Sequence, residues 1–296
     1  MYESLKKYSG HFHLYIFTFD NQSYELLNKL NLDSVTLITL SQFEDKELLK
    51  IKKTRSIAEY CWTCTPSIIK YSIVEYQLES CTYLDADLWF FSNPDVLIKE
   101  MKSKSVLITE HRYTKDYDQS STSGIYCVQF MTFVNNTDGM RVLNWWREQC
   151  INWCFAKYED GKFGDQKYLD NWTEEFNGIH VLQNLGGGVA PWNIQQYDLS
   201  DGSFKLVFYH FHDFKFLINN KVDLGSYKLK KIDVEVLYKP YINHLDKILK
   251  RIKLVDSDND FNGIVETPRN WKTPLRIINR KLKGAYNVHS KDQLIG

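Results

Sequence analysis

Residues Cys81 to Pro94 read CTYLDADLWFFSNP, and the fold is decided by where this run changes character. Cys81, Tyr83 and Leu84 have the composition of a buried strand. That strand runs straight into Asp85 and Asp87, with Trp89, Phe90 and Phe91 behind them. Two carboxylates one residue apart do not end an apolar strand for the sake of packing, because a buried charge without a partner is expensive. In an open α/β sheet the ligand lies beyond the carboxyl ends of the strands. Paired hard oxygen ligands there suit a Mg²⁺ or Mn²⁺ ion that also holds substrate phosphates.

The rest of the chain agrees with an α/β class. At 296 residues, 43% of them apolar, it can bury the core of one generous domain, or of one domain with an appendage. Lys and Arg total 37 and so do Asp and Glu, which leaves no global field to attract nucleic acid. The N-terminal MYESLKKYSGHFHLYIF has no apolar run of signal-peptide length, and no stretch approaches the roughly 18 apolar residues of a spanning helix, so a cytoplasmic protein is expected. The six cysteines sit in apolar patterns and are expected to be reduced thiols. Cys61 and Cys64 have redox spacing, but they lie inside a helical pattern rather than at a helix start after a strand.

In order, the pattern predicts a helix ending near residue 8, a strand His13 to Phe19, a helix from Asp20, and a strand Val35 to Leu40. Helical spacing follows from Phe43 to Ile51 and from Ser56 to Glu79, with a kink at Pro66. Beyond Pro94 come a short helix, a strand Ser105 to Thr109, a polar loop, a strand Ile125 to Val134 and a helix Gly139 to Lys157 with three tryptophans. A new helix is expected from Asp165 through Trp172, then strands His180 to Leu182 and Leu206 to Phe211. This alternation implies a mainly parallel sheet flanked by helices over residues 1–215. From about Phe216 the texture becomes short and Lys-rich without sheet patterning, which reads as a helical, basic appendage over 216–296.

Asp-x-Asp spacing alone is weak, since Asp116 and Asp118 share it, as do Asp256, Asp258 and Asp260. The last group has Phe261 and Thr267 where a calcium loop needs Gly and Glu. His210 and His212 end a strand and alternate, so they are expected on opposite faces, one for a metal and one for packing. Lys215 just beyond suits a leaving diphosphate as a point charge. Asp165 and Gln166 stand at a helix start, where Asp is a good cap or where either faces a sugar. Gly186 to Gly188 would let backbone approach a substrate, while Trp145, Trp146 and Trp153 read as core.

Together YLDADLWFFSNP, FGDQKYLDNW, APWN and FYHFH-x-x-K occur in an order and at spacings similar to those of bacterial GT-A-type glycosyltransferases, the nucleotide-diphospho-sugar transferase group related to family 8. The resemblance runs from about Tyr2 to Lys215. It implies a metal-dependent transfer of a sugar, with retention, from a nucleotide diphosphate donor to a cell-surface glycan or lipid-linked acceptor. It implies Asp85, Asp87 and His210, or His212 in its place, as ligands of Mn²⁺ or Mg²⁺. Arg55 and Thr65 would line the nucleotide pocket, with Asp85 also on the diphosphate, and Asp165 and Gln166 would face donor sugar and acceptor. Two departures stand out. The group places one more strand ahead of a helix like Tyr2 to Tyr8, so either an upstream extension or an unpaired sheet edge beside Phe12 to Phe19 is expected. The group's His-x-x-Gly-x-x-Lys is here His210-x-x-Asp213-x-Lys215, which leaves the two histidines unresolved. A nucleotidyltransferase would want a Gly-rich basic loop near the start, and an inactive binding protein would have kept the fold alone. Residues 268–283, with six bases and no acid and with Leu275, Ile278 and Leu282 in register, predict an amphipathic helix suited to an anionic membrane.

Overall fold

β-Branched and aromatic runs become strands: β1 (Leu14–Thr18), β2 (Val35–Thr39), β3 (Ser80–Leu84), β4 (Leu88–Phe90), β5 (Val106–Glu110), β6 (Tyr126–Val134), β7 (Ile179–Val181), β8 (Phe208–His210), β9 (Lys215–Leu217), β10 (Lys221–Asp223), β11 (Ile264–Val265) and β12 (Val288–Ser290). The helices are α1 (Tyr2–Tyr8), α2 (Asn21–Leu30), α3 (Leu40–Phe43), α4 (Lys46–Lys52), α5 (Ile57–Glu75), α6 (Asp95–Lys99), α7 (Thr137–Asn152), α8 (Trp172–Glu175), α9 (Lys231–Asp233), α10 (Lys239–Val255) and α11 (Lys272–Leu282). This computed structural model describes residues 1–257, 259, 263–265 and 271–295.

The α/β class holds, but the central sheet is mixed rather than mainly parallel. Its order is β3-β6-β5-β7, with β6 antiparallel to both neighbours and only β5–β7 parallel. The reason is the connection from β5 to β6. Residues 111–125 hold only a short 3-10 turn, and a parallel return needs a crossover long enough for a helix. β6 is the spine, with eight of its nine residues buried, and its Phe133 packs against Trp146 of α7 and Trp172 of α8. The tryptophans at 145 and 146 are therefore core, as their helical spacing suggests. Cys61 and Cys64 lie inside α5, which begins on a Ser56–Glu59 capping box and runs through Pro66.

β1 and β2 form a separate parallel pair. Among the described residues the other edge of β1 carries no backbone hydrogen bond, and β3 is paired only with β6. Between these bare edges lies a slot of about 580 Å³, lined by Leu14, Ile16 and Phe17 on one side of the gap and Cys81, Tyr83 and Leu84 on the other. Burial follows: Val106 to Thr109 of β5 are fully buried, whereas Cys81 to Leu84 are half-buried. Native interiors hold few voids larger than a water molecule, so the slot is an interruption of the sheet, and among the described residues the stretch Phe12 to Phe19 has a strand neighbour on one side only.

The region after Phe216, expected to lack sheet, carries the four-stranded sheet β11-β9-β10-β12. Its strands are two or three residues long, too short to show a period of two in sequence. It shares a core with the strand before it: Tyr241 of α10 stacks on Phe211 at 3.7 Å, and Tyr238 meets Tyr209 through their hydroxyls at 3.0 Å. On α11 the side chains of Leu275, Ile278 and Leu282 face outward, the last 82% exposed. Arg280 turns inward and holds Asp223 with two bonds of 2.6 and 2.7 Å. Residues 268–270 of the basic stretch, and Asp258, Asp260, Phe261 and Thr267 of the calcium-like loop, lie outside the described residues, while Asp256 is paired with Lys29. Among the described residues no helix is long and apolar enough to cross a membrane.

Candidate metal centre

Strand pairing assembles the site. The N–H of Asp85, just past β3, donates to the carbonyl of Gln129 on β6 at 3.0 Å. β4 pairs antiparallel with β8 so that Leu88 lies opposite His210, and the N–H of Phe211 donates to the carbonyl of Asp87 at 3.0 Å. This register brings one ligand atom each from Asp85, Asp87 and His210 within 4.8 Å of one another, the one such group among the described residues. His210 Nε2 lies 3.1 Å from Asp87 Oδ1 and 3.7 Å from Asp85 Oδ2. Neighbouring ligands of an octahedral ion at about 2.1 Å stand about 3 Å apart. Two carboxylates and an imidazole at these separations fit a divalent cation of the Mg²⁺ or Mn²⁺ kind.

The electrostatics show three groups sharing one charge problem. Burial raises the Asp85 carboxyl and outweighs the pull of His210. Burial also acts to raise Asp87, yet the charge and hydrogen bond of His210 more than offset it and hold Asp87 below the usual range. For His210 burial acts downward, but Asp87 overrides it and lifts the imidazole well above its ordinary value. In the protein alone the imidazolium thus stands in for positive charge between the carboxylates.

The triad opens into a cavity of about 550 Å³ whose lining includes Thr65, Tyr83, Asp165, Gln166, His212 and Trp192. Asp165 is buried, and desolvation pushes its carboxyl up to about 7. Its carbonyl accepts from the indole N–H of Trp146 at 2.8 Å. Gln166 Nε2 donates to the carbonyl of Ser123 at 2.7 Å. The helix expected to start at Asp165 is instead a 3-10 turn over Lys167–Asn171 followed by α8, so Asp165 caps nothing and its side chain is left to the cavity.

Of the residues expected here, Asp85, Asp87, His210, His212, Thr65, Asp165 and Gln166 come together, and Arg55 and Lys215 do not. The Arg55 guanidinium lies 3.9 Å over the Phe155 ring and donates to the carbonyl of Ile151, tying the start of α5 to the end of α7. Lys215 is paired with Asp213, which adopts φ 65°, the left-handed backbone that the glycine of the resembled motif would favour. His212 does not face away from His210. β8 ends at His210, so alternation stops there, and the rings lie 5.7 Å apart in the same cavity. His210 alone of the two contributes to the ligand group. Gly187 is closely packed, since a Cβ there would come within 2.7 Å of Leu182.

Three contributors were not foreseen. Tyr83 donates its hydroxyl to Asp85 Oδ1 at 2.9 Å. His111, stacked on Tyr113, is driven down to about 3 by burial and is neutral, and its carbonyl accepts from both Trp192 Nε1 and Asn193 Nδ2. Gln129 sits mid-strand beneath His210, and its one sequence signal is an amide amid the apolar run YCVQFMTFV.

Over 269 residues the chain is 31% identical to the Bacillus subtilis (strain 168) protein YfnD, covering 86% of each. The chain belongs to the YfnD family. A second relative from the same organism, YfnF, is 27% identical over 287 residues, covering 91% of this chain and 93% of YfnF; both relatives are described as uncharacterized. No protein-family model matches. Among solved structures, mouse xyloside xylosyltransferase 1 in its apo form aligns with a TM-score of 0.42 at 14% identity, over 71% of this chain and 89% of that one. A glycosyltransferase involved in glycosylation of the major capsid of PBCV-1 aligns at 0.40 and 7%, over 68% and 92%.

Proposed function

We propose that this protein is a GT-A-type, metal-dependent glycosyltransferase that moves a sugar from a nucleotide diphosphate donor to a glycan or lipid-linked acceptor, with retention at the anomeric carbon. The observation that carries the reading is the Asp85–Asp87–His210 group at the mouth of a cavity that also holds Asp165 and Gln166. A bound Mn²⁺ or Mg²⁺ would supply Lewis-acid stabilisation of the charge on the departing diphosphate. Asp85, Asp87 and His210 would hold that ion. Asp165, which keeps its proton up to about pH 7, offers a hydroxyl-type donor to the sugar, and Gln166, fixed by Ser123, offers an amide beside it. Residues 1–215 carry this chemistry. In residues 216–296 the outward apolar face of α11 rests on an anionic membrane, where a lipid-linked acceptor would lie.

A thermal-shift panel of nucleotide sugars with and without Mn²⁺ tests this. One nucleoside diphosphate sugar should raise Tm only with the metal, and incubation with it should release nucleoside diphosphate. Equal shifts without metal would overturn the reading. Pyrophosphate release from a nucleoside triphosphate and a sugar phosphate would make the enzyme a nucleotidyltransferase.

A further inference from the structure

Gln129 touches both halves of the ligand group. Its backbone carbonyl accepts from the N–H of Asp85 at 3.0 Å, and its side-chain Oε1 lies 2.7 Å from His210 Nδ1. Asp85 is delivered by β3 and His210 by β8, strands of two different sheets, so this buried residue of β6 is a direct link between them. On its Nε2 side His210 faces Asp87 and Asp85.

We infer that Gln129 is the positioning residue of the metal centre: its Oε1 accepts the Nδ1 proton of His210, selects the tautomer that presents Nε2 to a cation, and fixes the plane of the ring. The inference rests on the reading in which Asp85, Asp87 and His210 hold a divalent ion. The direction of the amide follows from its neighbours. Nε2 faces the two carboxylates, so a cation held by them would meet that nitrogen and leave the ring proton on Nδ1. Nδ1 then needs an acceptor, and the amide oxygen at 2.7 Å is that acceptor. The other end of the amide carries the cost. Among the described residues Gln129 Nε2 is buried without a hydrogen-bond partner, and an apolar residue would avoid this were the oxygen not needed. Partners that orient a metal-bound imidazole typically change metal affinity by about 10- to 100-fold when removed.

The test is Mn²⁺ titration of the full chain, followed by calorimetry and by the loss of the free-ion EPR signal. Gln129→Leu should weaken Mn²⁺ binding by at least about tenfold, while Gln129→Glu, which keeps an acceptor oxygen at the same reach, should restore it to within a few-fold of wild type. A merely structural role would lower Tm in both variants and leave the dissociation constant of the folded protein alone. Should Gln129→Leu fail to fold, the imidazole ¹⁵N spectrum of the wild type loaded with Cd²⁺, a diamagnetic stand-in, decides: His210 protonated at Nδ1 is expected, and protonation at Nε2 overturns the inference. If the wild type binds Mn²⁺ and Gln129→Leu binds it equally well, the inference fails and the metal centre stands. If the wild type binds no divalent ion, the metal centre fails and takes the inference with it.

Discussion

Replacing Asp165 by asparagine isolates what it costs to bury that carboxyl. Its ordinary value of 3.8 is pushed up to about 7, first by desolvation, with the charge of Asp85 adding to it. Below 3.8 the folded and unfolded chains both hold the proton, and the site is neutral toward folding. Between 3.8 and about 7 only the folded chain holds it, so stability falls as pH rises through that window and levels off above it. The window spans about 3 pH units at about 1.4 kcal/mol each, or about 4 kcal/mol in all. Asparagine keeps the shape and does not titrate. In EDTA, thermal unfolding of both proteins from pH 4 to pH 9 should therefore show Asp165→Asn gaining on the wild type by about 8 °C, at about 2 °C per kcal/mol for a chain of this size. Taking the difference between the two proteins cancels the titrating groups that do not interact with Asp165, and leaves Asp165 with its coupling to Asp85. A difference curve that is flat from pH 4 to pH 9, or that favours the wild type as pH rises, would refute the assignment of Asp165 as a carboxyl held neutral in the cavity.

Asp87→Ala removes a side chain that is 46% exposed and packs little, so Tm should move slightly while Mn²⁺-dependent binding of a nucleoside diphosphate weakens by more than about a hundredfold, which calorimetry will show. Replacing Leu275, Ile278 and Leu282 together by serine should abolish flotation with anionic vesicles and leave Tm unchanged, because these side chains touch solvent and not the core; binding by the intact protein should weaken with salt. Hydrogen exchange should be fast at the slot-facing amides of β1 and β3 and slow throughout β6, and an extension ahead of Met1 able to form a five-residue strand should slow both bare edges at once. A matching extension with proline at alternate positions should leave exchange unchanged, since it cannot complete the ladders.

The ends of strands were the most legible part of the sequence. Asp85 and Asp87 stand out because a strand of Cys81, Tyr83 and Leu84 has no packing use for two carboxylates. Asp165 and Gln166 line the cavity, and the chain after them forms a 3-10 turn and not the expected helix, because tertiary contacts of Asp165 and Asp170 outweigh the local cap preference. Arg55 and Lys215 lie outside the cavity lining for a common reason. Position along a helix or loop does not say which nearby acceptor a long cation will choose, and Ile151 and Asp213 are close at hand. The sheet's direction was misread because alternation of strand and helix elsewhere masks one helix-free return between β5 and β6. Gln129 is not legible in the sequence, since a single amide in a strand has no meaning until the strand that brings His210 to it is known.

The slot between β1 and β3 bears on handling as well as on architecture. Two facing rows of unpaired peptide groups, flanked by half-buried aromatic and aliphatic side chains, are a template for any extended apolar segment, including one from another copy of the same protein. Pairing of two copies through that gap would grow with concentration. Loss of soluble protein on concentrating should therefore be relieved by a lysine on the slot-facing side of β1 more effectively than by any change at the outward face of α11.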